Sequence, residues 1–326
     1  MTLPSEWELI RRIKTLCSEQ PSPGALITGI GDDCAVFETA PGRYGLITAD
    51  ISIENVHFRL DYCSPEEIGH KAMTGNISDI AAMGGKPLLA FVSLGIPGRL
   101  DPGDVEALYR GMIKAAGPTG PKIAGGDTSS SESLIISIAV YGETGPEKPV
   151  MRNGACAGDT ICLTGNVGGS LAGLEILAGK RRHNGAFPDL VSRHVSPRHR
   201  RDCAPEILGR FSPAAMIDVS DGLLSDLRHL CEASGTGFLL NGENIPLPAG
   251  LDRYASVMGR DPLDYALHSG EEFELLFTSK AAFTEPVKLE TGVMVTPVGF
   301  VTQGGFMLSY RGEKKEIEIV GYDHFK

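Results

Sequence analysis

Clustered carboxylates near the start of the chain have the types and spacing needed to bind a divalent cation. A two-glycine turn and paired acids form Gly29-Ile30-Gly31-Asp32-Asp33-Cys34, and the next apolar run, Leu46 to Ala49, ends at Asp50. Anions this close raise one another's pKa or recruit a metal, and oxygen ligands without a nearby Cys/His set favour Mg²⁺ or Ca²⁺ over zinc. Taken alone, the stretch also fits a solvated turn between two strands.

The same combination of acids with Gly, Ser or Thr recurs in three later stretches. They are Asn76-Ile77-Ser78-Asp79, Gly125-Gly126-Asp127-Thr128 and Asp218-Val219-Ser220-Asp221-Gly222. Asn76 and Asp79 are three residues apart on a predicted helix, so they project side by side among small apolar neighbours. A polar pair in such surroundings needs a partner. The repetition therefore favours a metal site over a series of solvated turns.

The elements that must position these acids alternate between strands and helices. The capping sequence Ser64-Pro65-Glu66-Glu67 begins a predicted helix that ends at Gly84-Gly85. Strands are predicted before and after this helix, and the stretch from Pro146 to Gly158 is a candidate domain boundary. We expect an α/β (α+β) protein with two domains, residues 1–148 and 149–326.

Three further stretches could contribute to a site, and two of them have a competing structural explanation. Gly165 to Ser170 is rich in glycine but lacks the Gly-Lys-Ser/Thr ending of a Walker A loop, so structural packing is preferred over phosphate binding. The basic run from Arg193 to Arg201 could meet a phosphate, but a solvated loop between helices is the preferred interpretation. Ser269 to Phe277 is predicted as a turn followed by a strand, with Glu271 at the turn and free to serve a site.

Bulk composition excludes several classes of partner. The 326 residues carry a net charge of −11, which argues against nucleic acid or an anionic membrane as a partner. No apolar run approaches the ~20 residues of a membrane span, and Met1 to Gln20 is predicted to be an amphipathic helix, so a cytoplasmic protein is expected. The seven cysteines form no C-x-x-C pair, and we interpret them as reduced.

Taken together, the motifs resemble those of the thiamine-monophosphate kinase family. The blocks that carry the resemblance are Gly29-Ile30-Gly31-Asp32-Asp33, Asp50 with His57, Asn76 to Gly84, Gly125 to Thr128, Asp218 to Asp226, Ser269 to Glu272 and Gly321-Tyr322-Asp323-His324-Phe325. They occur in register over almost the whole chain.

This resemblance implies a fold, a reaction and an assembly. The fold is that of aminoimidazole ribonucleotide synthetase, with an N-terminal α/β domain that binds ATP and Mg²⁺ and whose sheet forms a dimer interface, and a C-terminal α/β domain that completes the active site. The reaction transfers the γ-phosphoryl group of ATP to thiamine monophosphate, giving thiamine diphosphate. Several Mg²⁺ ions and a homodimer are expected.

The resemblance also assigns roles to individual residues. The implied metal ligands are Asp33, Thr48, Ala49, Asp50, Asp79, Asp127, Asp218 and Asp221, among which Asp50, Asp127 and Asp218 are the implied catalytic residues. The implied ATP contacts are Gly126, Arg152, Ser220 and Tyr109, and the implied thiamine phosphate contacts are His57, Glu271 and Tyr322.

Two departures and two alternatives accompany this interpretation. Ala49 replaces the family's usual threonine, so any ligand at that position is its backbone carbonyl, and Ser196 with His199 interrupts a stretch usually richer in Arg and Pro. The alternatives are another ATP-dependent member of the superfamily and a non-catalytic protein that binds a nucleotide or a divalent cation. His57, Glu271 and Tyr322 favour the kinase, because they serve the thiamine substrate.

Overall fold

The N-terminal half is a six-stranded sheet covered on one face by helices. The computed structural model describes residues 4–145, 147–179, 185–317 and 325. The N-terminal elements are α1 (Glu6–Ser18), β1 (Leu26–Thr28), β2 (Ala35–Ala40), β3 (Arg43–Ile53), α2 (Pro65–Ala82), β4 (Lys86–Ile96), α3 (Pro102–Ala116), β5 (Lys122–Ser130) and β6 (Ile135–Thr144). The strand order is β1-β2-β3-β6-β4-β5, and β4 pairs with β5 in parallel.

The C-terminal half is built on a second, eight-stranded sheet. Its elements are β7 (Thr160–Thr164), α4 (Gly169–Ala178), α5 (Pro188–Val195), α6 (Ala204–Phe211), β8 (Ala215–Asp218), α7 (Leu223–Ser234), β9 (Gly237–Asn241), a 3₁₀ turn (Gly242–Asn244), α8 (Leu251–Met258), α9 (Pro262–His268), β10 (Leu275–Ser279), β11 (Val287–Lys288), β12 (Met294–Thr302), β13 (Phe306–Tyr310) and β14 (Glu313–Glu316). The strand order is β14-β13-β9-β12-β7-β10-β8, with β11 paired to β12. The α/β fold class is confirmed.

Helix α2 is the buried centre of the N-terminal half. Ser64 and Glu67 form the predicted capping box, Pro65 occupies the first turn, and the helix ends before Gly84 at φ +73°. Gly69 lets α3 approach, because a Cβ there would lie 2.0 Å from the carbonyl oxygen of Leu108. The predicted helix is therefore confirmed, and its packing sets the position of every side chain that α2 contributes.

The two faces of the N-terminal sheet differ in burial. Leu46, Val92 and Ile138 are buried on the face that α2 covers, which we call the inner face. Ile51 (51% exposed) and Phe91 (44% exposed) lie on the opposite, outer face. Alternating side chains of one strand point to opposite faces, so this alternation follows directly from the strand register.

The strand predicted to follow Ser269 begins later than expected. Strand β10 starts at Leu275, and both Glu271 and Phe273 have left-handed backbone conformations, with φ of +56° and +53°. A regular strand cannot include such residues. The segment therefore folds as an irregular turn whose acidic side chains point to separate partners.

Among the described residues, no helix combines the length and apolar character that crossing a membrane requires.

Candidate active site

Three carboxylates from distant parts of the chain converge where the two halves meet. Asp33 follows β1, Asp79 lies in the last turn of α2, and Asp218 ends β8. One oxygen of each lies within 4.8 Å of the others. Three of the predicted metal ligands are thus brought together by the tertiary fold.

Polar neighbours orient each of these carboxylates. The Thr48 hydroxyl donates to Asp79 at 2.5 Å, and the Ser78 hydroxyl donates to Asp218 at 2.6 Å. Arg152 donates from its guanidinium to Asp33 at 2.6 Å. The backbone N–H of Arg152 also donates to Asp32 at 3.1 Å. Arg152, predicted to contact ATP, therefore lies beside the acids.

The acids are poorly neutralised by the protein itself. Burial, followed by the negative charge of Asp33, raises the pKa of Asp218 to about 8. Burial, followed by the charges of Asp50 and Asp218, raises the pKa of Asp79 well above its ordinary value. Asp50 retains solvent-accessible surface, yet the protein atoms around its carboxyl, together with Asp221 and Asp33, raise its pKa to about 6.

The donor set fits a hard divalent cation. All three clustered ligands are carboxylates, and the buried Oδ2 of Asp33 has no hydrogen-bond partner among the described residues. Oxygen-only sets of this kind suit Mg²⁺, whereas zinc sites use nitrogen and sulfur. A cation here would replace the protons that the raised pKa values imply.

The Ser220–Gly222 turn is held by an acid to which the sequence assigned no separate role. Asp226 in the first turn of α7 accepts hydrogen bonds from the backbone N–H groups of Ser220, Asp221 and Gly222, each at 3.1 Å. The carbonyl of Ser220 in turn accepts from the N–H of Glu271 at 2.8 Å. The spacing of Asp226, four residues after Gly222 on a predicted helix, could have identified it as the anchor of this turn.

His57 and Glu271 are brought together through a buried lysine. The Nδ1 atom of His57 accepts the N–H of Ile53 at 3.0 Å, so a neutral ring carries its proton on Nε2. Lys71 donates to the Glu271 carboxylate at 2.7 Å and to the His57 carbonyl at 3.1 Å. Burial acts to raise the pKa of Glu271, but the charge and hydrogen bond of Lys71, together with His194 and His57, outweigh burial and hold that pKa below its ordinary value. Sequence reasoning missed Lys71. Its position three residues after Ile68 places it on the same face of α2 as a predicted core residue, and a charged residue there was a signal.

Asp127 is not brought to this cluster within the chain. It lies on β5, the edge strand, beside Ser93, and is exposed on the outer face. Asp50 lies on β3, three strand positions away, which corresponds to about 14 Å. The neighbouring Gly126 has φ +151°, and a Cβ there would lie 1.7 Å from the carbonyl oxygen of Val92. Only glycine fits at that position.

The remaining predicted site residues occupy different places. Ala49 lies on the outer face between Ile47 and Ile51, and Asp221 is exposed at the start of α7. Tyr109 lies on α3, half-buried against the N-terminal core. Tyr322 lies outside the described residues, as does most of the terminal segment 318–326.

The glycine-rich turn already holds an anion of the protein. The Glu272 carboxylate accepts from the N–H groups of Gly168 at 2.7 Å and Ser170 at 2.9 Å, and from the Ser269 hydroxyl at 2.6 Å. This arrangement agrees with the preferred packing interpretation, because an internal carboxylate occupies the turn in place of a phosphate.

Two arginines of the basic run are not solvated. Only 10% of the Arg201 side chain is exposed, and it donates to the carbonyl of Ala116 at 3.0 Å. Arg200 donates from Nε and from a terminal nitrogen to Glu274, each at 2.5 Å, and 15% of its side chain is exposed. The interpretation of Arg193 to Arg201 as a solvated loop is therefore wrong for Arg200 and Arg201, and the paired hydrogen bonds of Arg200 fix the loop to the C-terminal sheet.

Comparison with known proteins identifies the family. Residues 31–144 match the family model described as "AIR synthase related protein, N-terminal domain". The chain is 36% identical to the thiamine-monophosphate kinase of Aquifex aeolicus over 91% of this chain and 92% of that protein. It is 34% identical to the thiamine-monophosphate kinase of Bacillus subtilis, over 91% and 93% of the two chains.

Solved structures agree with this relationship. The structure described as "AaThiL complexed with AMPPCP and TMP" superposes with a TM-score of 0.85 at 34% identity, covering 98% of this chain and 97% of that one. The hydrogenase maturation protein HypE of E. coli superposes with a TM-score of 0.67 over 95% and 96% of the two chains, but at 19% identity it shares the fold alone. The identity and coverage of the kinases establish that the chain belongs to the thiamine-monophosphate kinase family.

Proposed function

We propose that this chain transfers the γ-phosphoryl group of ATP to the phosphate of thiamine monophosphate, producing thiamine diphosphate and ADP. The observation that carries the proposal is the cluster of Asp33, Asp79 and Asp218 in a chain that matches these kinases over nine tenths of its length. The relative described as a complex with AMPPCP and TMP holds an ATP analogue together with TMP, which supports the same pair of ligands here.

The carboxylates would hold the metal that this reaction needs. Asp33, Asp79 and Asp218 would be its ligands. Thr48 donates to Asp79, and the charges of Asp221 and Asp33 raise the pKa of Asp50, which supports assigning Thr48, Asp50 and Asp221 as further ligands. When bound, Mg²⁺ offsets the repulsion between two phosphate groups. The acceptor phosphate is already an anion at neutral pH, so the chain needs no general base.

The remaining assignments concern substrate binding. The Nε2–H of His57 would donate to the thiamine phosphate, and the Glu271 carboxylate would face the positive thiazolium ring. Arg152 would contact an ATP phosphate, since its buried Nε has no hydrogen-bond partner among the described residues. Gly126, Ser220 and Tyr109 remain assigned to ATP, and Tyr322 to the thiamine phosphate, by family resemblance.

We further propose a division of labour between the two halves. Residues 1–148 would bind ATP and Mg²⁺ and form the dimer, and residues 149–326 would complete the active site with Asp218, Ser220 and Glu271. A cytoplasmic location is proposed with this assignment.

The outer face of the N-terminal sheet supports a homodimer. Ile47, Ile51, Leu89 and Phe91 leave between 37% and 51% of their surface exposed on this one face. Adjacent exposed apolar side chains mark an interaction surface. Asp127 and Ala49 lie on the same face, so both would lie at the contact with a second copy packed there. We propose that Asp127 acts across this interface, because it lies too far from Asp50 to share an ion within one chain.

Mixing inactive variants tests the shared site. Asp50→Asn and Asp127→Asn should each lower kcat on the order of 100-fold or more while leaving Tm unchanged, because each removes one electrostatic stabiliser. Unfolding and refolding the two variants together should recover part of the activity, since mixed dimers then contain one site with both residues intact. Mixed dimers without recovered activity would contradict the assignment of Asp127 to the partner's site.

Product analysis tests the reaction itself. The protein is incubated with ATP, Mg²⁺ and thiamine monophosphate, and the products are separated by chromatography. We expect thiamine diphosphate and ADP in equal amounts. Binding of both ligands by calorimetry with no product formed would instead indicate the alternative, a non-catalytic nucleotide- or cation-binding protein.

A further inference from the structure

Lys71 is buried in α2 beside the proposed substrate site. Its side chain is 8% exposed, and lysines are almost never this buried unless they are paired. Taking an ammonium group out of water is unfavourable unless strong acceptors replace the lost hydration. The burial of the Lys71 side chain therefore needs an explanation beyond the packing of helix α2.

The two acceptors of Lys71 come from the two halves of the chain. Its Nζ atom lies 2.7 Å from Oε2 of Glu271 and 3.1 Å from the carbonyl oxygen of His57. His57 follows β3 of the N-terminal sheet, whereas Glu271 precedes β10 of the C-terminal sheet. One ammonium group thus connects two of the three residues that are assigned to the thiamine phosphate.

Glu271 depends on Lys71 for its charge and its direction. The carboxylate keeps 33% of its side-chain surface exposed, so it faces an opening, with Lys71 behind it. The other basic group nearby, His194, has its Nδ1 atom 3.7 Å from Oε2 of Glu271. Burial lowers the pKa of His194 to about 4, so this ring is neutral at physiological pH and Lys71 supplies the positive charge.

The backbone at Glu271 also needs support. Its φ of +56° is a conformation that non-glycine residues rarely adopt, and the N–H of Glu271 donates to the carbonyl of Ser220 at 2.8 Å. Such conformations persist where surrounding contacts hold them. The ion pair with Lys71, at 2.7 Å, is a closer contact of the carboxylate than His194 at 3.7 Å, and it fixes where the carboxylate points.

We propose that Lys71 is a positioning residue for the thiamine phosphate substrate, whose ammonium group aligns the Glu271 carboxylate with the His57 turn across the two halves of the site. This inference rests on the proposed function, because it concerns binding of the same substrate. Lys71 acts through Glu271 and His57 and leaves the ATP contacts unaffected.

The test combines kinetics with a double-mutant cycle. Lys71→Met keeps the length of the side chain and removes its charge, and Glu271→Gln removes the partner's charge. Lys71→Met should raise the KM for thiamine monophosphate about ten-fold or more, the effect of losing a charge-assisted hydrogen bond, with the KM for ATP changed less than about two-fold. In the Glu271→Gln background, Lys71→Met should raise the same KM at most about three-fold.

Lys114→Met is the matched control. Lys114 pairs with Glu66 of α2 at 3.1 Å, but 66% of its side chain is exposed. This variant also breaks a lysine–glutamate pair on α2, and neither KM should change. Thermal unfolding of all variants verifies that each is folded before the constants are compared.

Three results would overturn the proposal. They are an unchanged KM for thiamine monophosphate in Lys71→Met, equal rises in both KM values, and the same rise with and without Glu271→Gln. Calorimetric titration with thiamine monophosphate in the absence of ATP repeats the cycle without turnover. A wild-type protein that binds thiamine monophosphate without phosphorylating it would contradict the proposed function, while the calorimetric cycle would still decide the role of Lys71.

Discussion

The raised pKa values in the carboxylate cluster predict that alkaline pH destabilises the metal-free protein. Burial and Asp33 raise the pKa of Asp218 from 3.8 to about 8. The folded state therefore binds a proton that the unfolded state has already lost. Stability from this group is fully present below about pH 4 and is lost as the pH rises through about 8.

The magnitude follows from the size of this shift. Between pH 6 and pH 8 the Asp218 carboxyl is ionised in the unfolded chain but is largely protonated in the folded protein until the pH nears 8. Each pH unit therefore lowers the free energy of unfolding by up to about 1.4 kcal/mol. The free energy of unfolding should fall by about 2 kcal/mol across this window, which for a chain of this length corresponds to a decrease in Tm of roughly 3 °C. Mg²⁺ at 100 times its Kd should add about 2.7 kcal/mol and reverse the loss.

The assay is thermal unfolding at pH 6, 7 and 8, with EDTA or with Mg²⁺. The Mg²⁺-induced rise in Tm should increase with pH, because a metal binds deprotonated carboxylates. Asp218→Asn should flatten the pH dependence, whereas Asp202→Asn, at a carboxylate that is 69% exposed, should leave it unchanged. A Tm in EDTA that stays constant from pH 6 to pH 8, or an equal Mg²⁺ effect at all three pH values, would refute the reasoning.

Three further predictions concern the metal, the C-terminal core and the chain terminus. Activity should require Mg²⁺ or Mn²⁺ and be poorly supported by Ca²⁺, which is larger and less strict in geometry; full activity after exhaustive chelation would exclude a metal mechanism. Arg200→Met should lower the free energy of unfolding in urea by about 3–5 kcal/mol, because Glu274 is then buried without its partner, and adding Glu274→Gln should recover part of the loss; a change below about 1 kcal/mol would contradict this. Deleting residues 321–326 should raise the KM for thiamine monophosphate far more than the KM for ATP, and an unchanged value would remove Tyr322 from the site.

Local sequence patterns were sufficient for the fold class, for helix α2 and for three acids that the structure clusters. The capping box at Ser64 and Glu67 predicted α2, because capping depends only on residues three positions apart. The carboxylates of Asp33, Asp79 and Asp218 were identified by their glycine and serine neighbours, and the structure brings these three together. The α/β class followed from the alternation of strand and helix patterns.

Tertiary structure alone decided which residues act together. The separation of Asp50 from Asp127 depends on the strand order β3-β6-β4-β5, which no local pattern specifies. The pairing of Lys71 with Glu271 joins positions 200 residues apart in sequence, and the left-handed backbone at Phe273 delays the predicted strand to Leu275. Periodicity reports which face of its own element a side chain occupies, whereas contacts between elements arise only when the two sheets and α2 pack together.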